Sequence, residues 1–129
     1  MKLIMVAAGG ALGASLRYLC VAWAPRAFGT GFPAGTLIVN VVGSLLMGVL
    51  AVALMERFPG GWGRYAPFVM TGVLGGFTTF SAFSLDALYL IERGRHAAAA
   101  LYIGGSVALS IAALWAGLAL ARFWWSPSA

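Results

Sequence analysis

The sequence predicts an all-α integral membrane protein of four transmembrane helices, the third of them broken near Gly75–Thr79. Three observations lead there. Of 129 residues, 62% are hydrophobic and 9% are charged, whereas a soluble domain carries roughly a quarter charged residues. Four apolar runs each approach the ~20 residues that a helix needs to cross hydrocarbon. Within the third run, Gly72–Ser84 reads G-V-L-G-G-F-T-T-F-S-A-F-S, a wording that interrupts a helix. Open backbone at membrane depth survives only where protein or a water-filled path satisfies its N–H and C=O groups. Function is expected at that interruption.

The first span, Leu3–Ala24, follows Lys2 and has the small residues of a signal peptide. Arg17 and three comparable later spans argue for a retained helix. Pro25 to Pro33 forms the first connection, and the second span is Thr36–Met55. Pro59, Gly60, Gly61 and Gly63 mark the next turn. In the third span, Pro67–Ile91, Gly72, Gly75 and Gly76 each cost roughly 1 kcal/mol of helix propensity relative to alanine. Thr78 and Thr79 add a pair that is stiff at χ1. Arg93-Gly94-Arg95 turns the chain into the fourth span, Ala97–Ala121, and Pro127 closes the tail. Residues 1–129 are thus expected to form a single membrane channel domain with both termini on one side.

Charge excludes some functions and bears on topology. The net charge of +5 is spread singly over loops and span ends, which is membrane-interface anchoring and not a nucleic-acid surface. Lys2, Arg57, Arg64 and Arg122 fall on the terminal side, and Arg26, Arg93 and Arg95 on the other. A bias of four against three barely selects an orientation. A chain inserting both ways can pair as an antiparallel, dual-topology homodimer. Small residues at close-packing intervals, Gly9 with Gly13 and Gly43 with Met47 and Gly48, favour tight helix contacts.

Catalysis is hard to assemble from these residues. Glu56, Asp86 and Glu92 are the only acidic residues, Cys20 is the lone cysteine, and His96 is the lone histidine, placed in the third loop. No metal cluster or nucleophile–base pair follows from that set, and the chain is not expected to be an enzyme. G-V-L-G-G-F lacks the following lysine of a phosphate loop. What remains is an array of neutral donors. Thr36, Asn40 and Ser44 share a face of the second span, and Tyr102, Ser106 and Ser110 repeat every fourth residue of the last. Phe80 and Phe83 share a face just past the break. Cation paths offer carboxylates or carbonyl rings. This path offers N–H and O–H donors, and phenylalanine edges are positive. An anion pathway is the expectation.

Those residues also carry a resemblance. Gly13-Ala14-Ser15-Leu16-Arg17-Tyr18, Gly35-Thr36-Leu37-Ile38-Val39-Asn40-Val41-Val42-Gly43 and the whole of Gly72–Ser84 are similar to the CrcB/Fluc family of fluoride channels. The resemblance implies an antiparallel homodimer in a bacterial inner membrane, with two pores passing fluoride by passive electrodiffusion. It implies that Phe80 and Phe83 line the pores and that Asn40, Tyr102, Ser106 and Ser110 donate along them, with Thr79 nearby and Arg17 at a vestibule. It also implies a structural sodium ion on the two-fold axis, held by the backbone carbonyls of Gly75 and Thr78. The family's usual form has threonine or serine where this chain has Ala82, so no polar role is assigned there. The competing class is a small multidrug-type, proton-coupled exporter. It needs a membrane glutamate in the first span, where this chain has Arg17 and no acid.

Overall fold

The computed structural model describes residues 1–125, so the expected closure of the tail at Pro127 lies outside the described residues. Helix α1 spans Lys2–Phe28. Helix α2, Ala34–Ala51, continues as a π-helical segment, Val52–Arg57. A 3-10 turn at Trp62–Tyr65 leads into a second π-helical segment, Pro67–Leu74, and then a single turn α3, Gly75–Phe77. After the break come α4, Phe80–Glu92, and α5, His96–Trp124. Among the described residues these make four helices long and apolar enough to cross a membrane: Lys2–Phe28, Ala34–Arg57, Trp62–Glu92 and His96–Trp124.

Each expected span is present, and several ends move. Helix α1 continues through Pro25 and stops at Gly29, whose φ of 79° favours glycine and whose N–H reaches the Pro25 carbonyl at 2.9 Å. Pro25 has no N–H to give to the carbonyl one turn back, and the helix ends within one turn of it. Arg26 in that turn offsets the helix dipole. The second connection shrinks because wide turns extend both neighbours: Phe58 N–H donates to Ala53 O and Gly63 N–H to Phe58 O, each at 2.9 Å. The third turn forms as expected around Gly94 (φ 75°), with Arg95 N–H on Leu90 O at 2.9 Å. His96, placed in that loop from sequence, instead begins α5 and is exposed.

The glycines of the third span do not break it. Gly72 and Gly76 are helical and let α1 approach. A Cβ on Gly72 would lie 2.9 Å from Gly9 Cα, and one on Gly76 would lie 2.7 Å from the Gly10 carbonyl oxygen. The interruption falls on Thr78 and Thr79. Gly9 and Gly13 complete that crossing from the α1 side, as their spacing suggests. Gly43 and Gly48, grouped from sequence, serve different neighbours: Gly48 faces α5 at Leu114 and Gly117, and Gly43 faces the Thr78 methyl.

A small buried core joins Phe83, Ala87 and Leu90 of α4 to Ala99 and Tyr102 of α5, with Phe32 and Leu37 packed against it. The outer faces are apolar, with Leu12, Leu109 and Trp115 exposed, as a lipid-facing surface requires. Polar contacts fasten the ends. Arg95 donates to the Gly31 carbonyl across two loops, and Arg122 pairs with both Glu56 oxygens at 3.2 and 3.0 Å.

Candidate functional site: a donor-lined cavity at a helix break

The break is held by Thr78, Thr79 and Asn40. Thr78 and Thr79 are extended, with φ, ψ of −84°, 158° and −153°, 122°. The Thr78 N–H and Oγ1 both donate to Leu74 O, at 3.0 and 2.9 Å, and so finish the first half of the span. Thr79 Oγ1 accepts from Ala82 N–H at 3.2 Å and caps α4. Between these, Asn40 of α2 supplies a two-way clasp: its Oδ1 accepts from Thr79 N–H at 2.8 Å, and its Nδ2 donates to Thr79 O at 3.0 Å. In an unbroken helix the Thr79 and Ala82 N–H groups would bond to the Gly75 and Thr78 carbonyls. Here they bond elsewhere, so both carbonyls are left open. Arg17 Nε of α1 donates to Gly76 O at 3.0 Å, beside the break.

Against the break, between α2 and α5, lies a cavity of about 300 Å³. Asn40 and Ser44 line it from α2, Ser106 and Ser110 from α5, and Thr78, Thr79, Phe80 and Phe83 from the break. Met47, Val107 and Leu114 complete it with apolar surface. No carboxylate lines it among the described residues. Ser106 is 5% exposed, and its hydroxyl has no hydrogen-bond partner among the described residues. By contrast, Ser15 and Ser84 satisfy themselves on the carbonyls of Ala11 and Phe80, at 2.6 and 3.0 Å. A buried hydroxyl without a partner carries an unmet polar requirement that a ligand can satisfy.

The two phenylalanines divide. Phe83 is 9% exposed and packs on Tyr102 at 5.2 Å between ring centroids. Phe80 is 78% exposed, with its ring 5.6 Å from that of Phe83. The donor track on α5 also divides. Ser106 and Ser110 face the cavity, while Tyr102 lies outside its lining, fully buried, with its hydroxyl donating to Asp86 Oδ2 at 3.1 Å. Thr36 donates to the same oxygen at 2.8 Å. Asp86 is thus a satisfied polar residue, through partners that sequence spacing alone does not identify. The sequence does carry a signal for them: a carboxylate in an apolar helix requires donors, and Thr36 and Tyr102 are hydroxyl donors on neighbouring spans.

A space lined by N–H and O–H groups and without acid is suited to an anion stripped of water. Among the described residues, no cluster of histidine, cysteine or acidic side chains could hold a metal. The open carbonyls of Gly75 and Thr78 are the oxygen donors that suit a hard monovalent cation.

Comparison with known proteins agrees with this chemistry. The family described as "CrcB-like protein, Camphor Resistance (CrcB)" matches residues 4–118. A protein of Cereibacter sphaeroides named "Fluoride-specific ion channel FluC" is 62% identical over 123 residues, covering 95% of this chain and 96% of that protein. Proteins of the same name from Ruegeria sp. and Rhizobium etli are 58% and 51% identical. They cover 91% and 92% of this chain, and 91% and 94% of their own lengths. This multi-pass membrane chain belongs to the CrcB-like family.

Proposed function

We propose that this chain is a fluoride-selective channel that releases cytoplasmic fluoride by passive electrodiffusion. The observation that carries it is the cavity at the helix break, which no carboxylate lines among the described residues and where Asn40, Ser106 and Ser110 present donors beside Phe80 and Phe83. The named relatives supply the ion. Hydrogen fluoride crosses lipid uncharged and dissociates in a more alkaline cytoplasm. The anion cannot return unaided, because stripping its hydration in hydrocarbon is too costly. A passive path lets a negative-inside potential drive it out, with ~2.3 kcal/mol per charge for each 100 mV. No catalytic step is assigned. The proton-coupled exporter is disfavoured because α1 carries Arg17 and no acid.

The functional unit in this proposal is an antiparallel, dual-topology homodimer in a bacterial inner membrane, with two pores. The near-even Lys/Arg distribution supports it, as does the exposure of Phe80 beside an otherwise buried Phe83. A second copy covers Phe80 and completes the phenylalanine lining. At the dimer axis the open Gly75 and Thr78 carbonyls of both copies would hold a structural sodium ion, which would offset the charge of four facing oxygens. Tyr102 is assigned to the end of the path, where it packs on Phe83 and positions Asp86. Thr79 sets the orientation of α4, and Arg17 draws anions towards the break.

Protein reconstituted in liposomes is expected to release fluoride, read with a fluoride electrode, far faster than it releases chloride. Phe83→Ile is expected to abolish release while the detergent-solubilised dimer persists on size-exclusion chromatography. Equal passage of chloride, or full release by Phe83→Ile, contradicts the reading.

A further inference from the structure

Helices α2 and α5 run side by side as second and fourth spans, and three observations set their register. Thr36 and Tyr102 meet on Asp86 Oδ2, at 2.8 and 3.1 Å. Further along, a Cβ on Gly48 would contact the Leu114 carbonyl and lie 2.9 Å from Leu118 N. Between these points Asn40, Ser44, Ser106 and Ser110 all line one cavity. The side chains therefore form successive rungs: Thr36 with Tyr102, Asn40 with Ser106, Ser44 with Ser110, and Met47 with Leu114.

The rungs differ in what their donors already do. The first is committed to a carboxylate. In the second, Asn40 gives one N–H to Thr79 O, and Ser106 is buried without a partner among the described residues. In the third, neither Ser44 nor Ser110 hydrogen-bonds to any described protein group, although Ser15 and Ser84 show that helical serines here can bond back to their own backbone. The fourth rung is apolar and ends the donor series. A helical serine ordinarily finds the carbonyl one turn back, so two hydroxyls that do not, on facing helices and in one cavity, are available to a third group.

We infer that Ser44 is a fluoride-binding donor and that, with Ser110, it forms a second anion site one helical turn, about 6 Å, beyond Asn40 and Ser106. The inference rests on the fluoride-channel reading and extends it to Ser44, a residue on the donor face of α2 to which the family resemblance assigns no role. Two weak sites in series let an entering ion help the one ahead to leave, which keeps a selective path from trapping its ion.

The test measures fluoride release from liposomes at low and high internal fluoride for wild type, Ser44→Ala and Ser44→Cys, with Ser15→Ala as a control. Cysteine keeps the size of serine but is a weak donor. Both Ser44 variants are expected to release fluoride about tenfold more slowly at low concentration, the loss due to one hydrogen bond to an ion. They should approach wild type at high concentration, and Ser15→Ala should match wild type throughout. Wild-type speed in Ser44→Cys assigns Ser44 to packing and overturns the inference, and so does a loss equal at all concentrations. If Ser44→Ala fails to fold, Ser44→Cys decides alone. Absence of fluoride release from wild type instead overturns the channel reading, and this inference with it.

Discussion

Asn40→Asp is expected to stop fluoride release, by at least a hundredfold, in a protein that still folds. The substitution keeps size and shape. It also keeps an oxygen to accept the Thr79 N–H, now at 2.8 Å from Asn40 Oδ1. It replaces the amide that donates to Thr79 O at 3.0 Å with a second oxygen, so an attraction becomes a repulsion. It also puts a negative charge on the wall of a cavity that otherwise has no carboxylate among the described residues. Two like charges ~4 Å apart at an effective dielectric near 20 repel by ~4 kcal/mol, close to a thousandfold in occupancy. Asn40→Ala separates the two effects, since it removes the clasp on Thr79 and adds no charge. It should slow release less than Asn40→Asp and lower thermal stability more. Release from liposomes and melting in detergent check both. Wild-type release by Asn40→Asp would remove Asn40 from the anion path.

The second large effect is on assembly of the fold. Gly13→Val is expected to prevent accumulation of folded protein, and Gly13→Ala to lower its melting temperature clearly. A Cβ at Gly13 would meet the Val73 carbonyl oxygen and lie 2.8 Å from Val73 C and 2.9 Å from Phe77 N. All three atoms are backbone, so no side-chain rotation can make room and α1 must move away from the segment entering the break. Overpacking of this kind costs typically 1–3 kcal/mol for small additions. Within lipid, helix contacts depend on close approach more than on apolar burial. Gly10 sits on the same helix with nothing within 4 Å of its Cβ position, so Gly10→Ala is the matched control and should melt like wild type. Equal melting of the Gly10 and Gly13 alanine variants would remove the crossing from the account of stability.

Much of this molecule is legible in its sequence because lipid leaves few options. Four apolar runs must be four helices, since any other lipid-exposed backbone leaves its polar groups unpaired. The Gly72–Ser84 wording marks the interruption, and Asn40, Thr79, Phe80, Phe83, Ser106 and Ser110 do converge on one cavity there. The pairing of polar groups across helices is not legible in the same way. Whether Thr36 faces Asp86 or the cavity depends on how α2, α4 and α5 are rotated, which helical spacing within one span does not specify. The glycines illustrate the same limit. Their low helix propensity suggested the break, yet Gly72 and Gly76 remain helical because contact with α1 needs their missing side chains. The break falls instead on Thr78 and Thr79, where Asn40 takes over the backbone bonds. The wide turns at Val52–Arg57 and Pro67–Leu74 likewise carry no local signature in the residues that form them.

The most direct test of passive, fluoride-selective conduction is the reversal potential of reconstituted protein under a fluoride gradient, with chloride and pH varied independently. The expected result is reversal at the fluoride equilibrium potential, unmoved by either chloride or a proton gradient. Reversal that tracks chloride, or that shifts with the proton gradient, would contradict it.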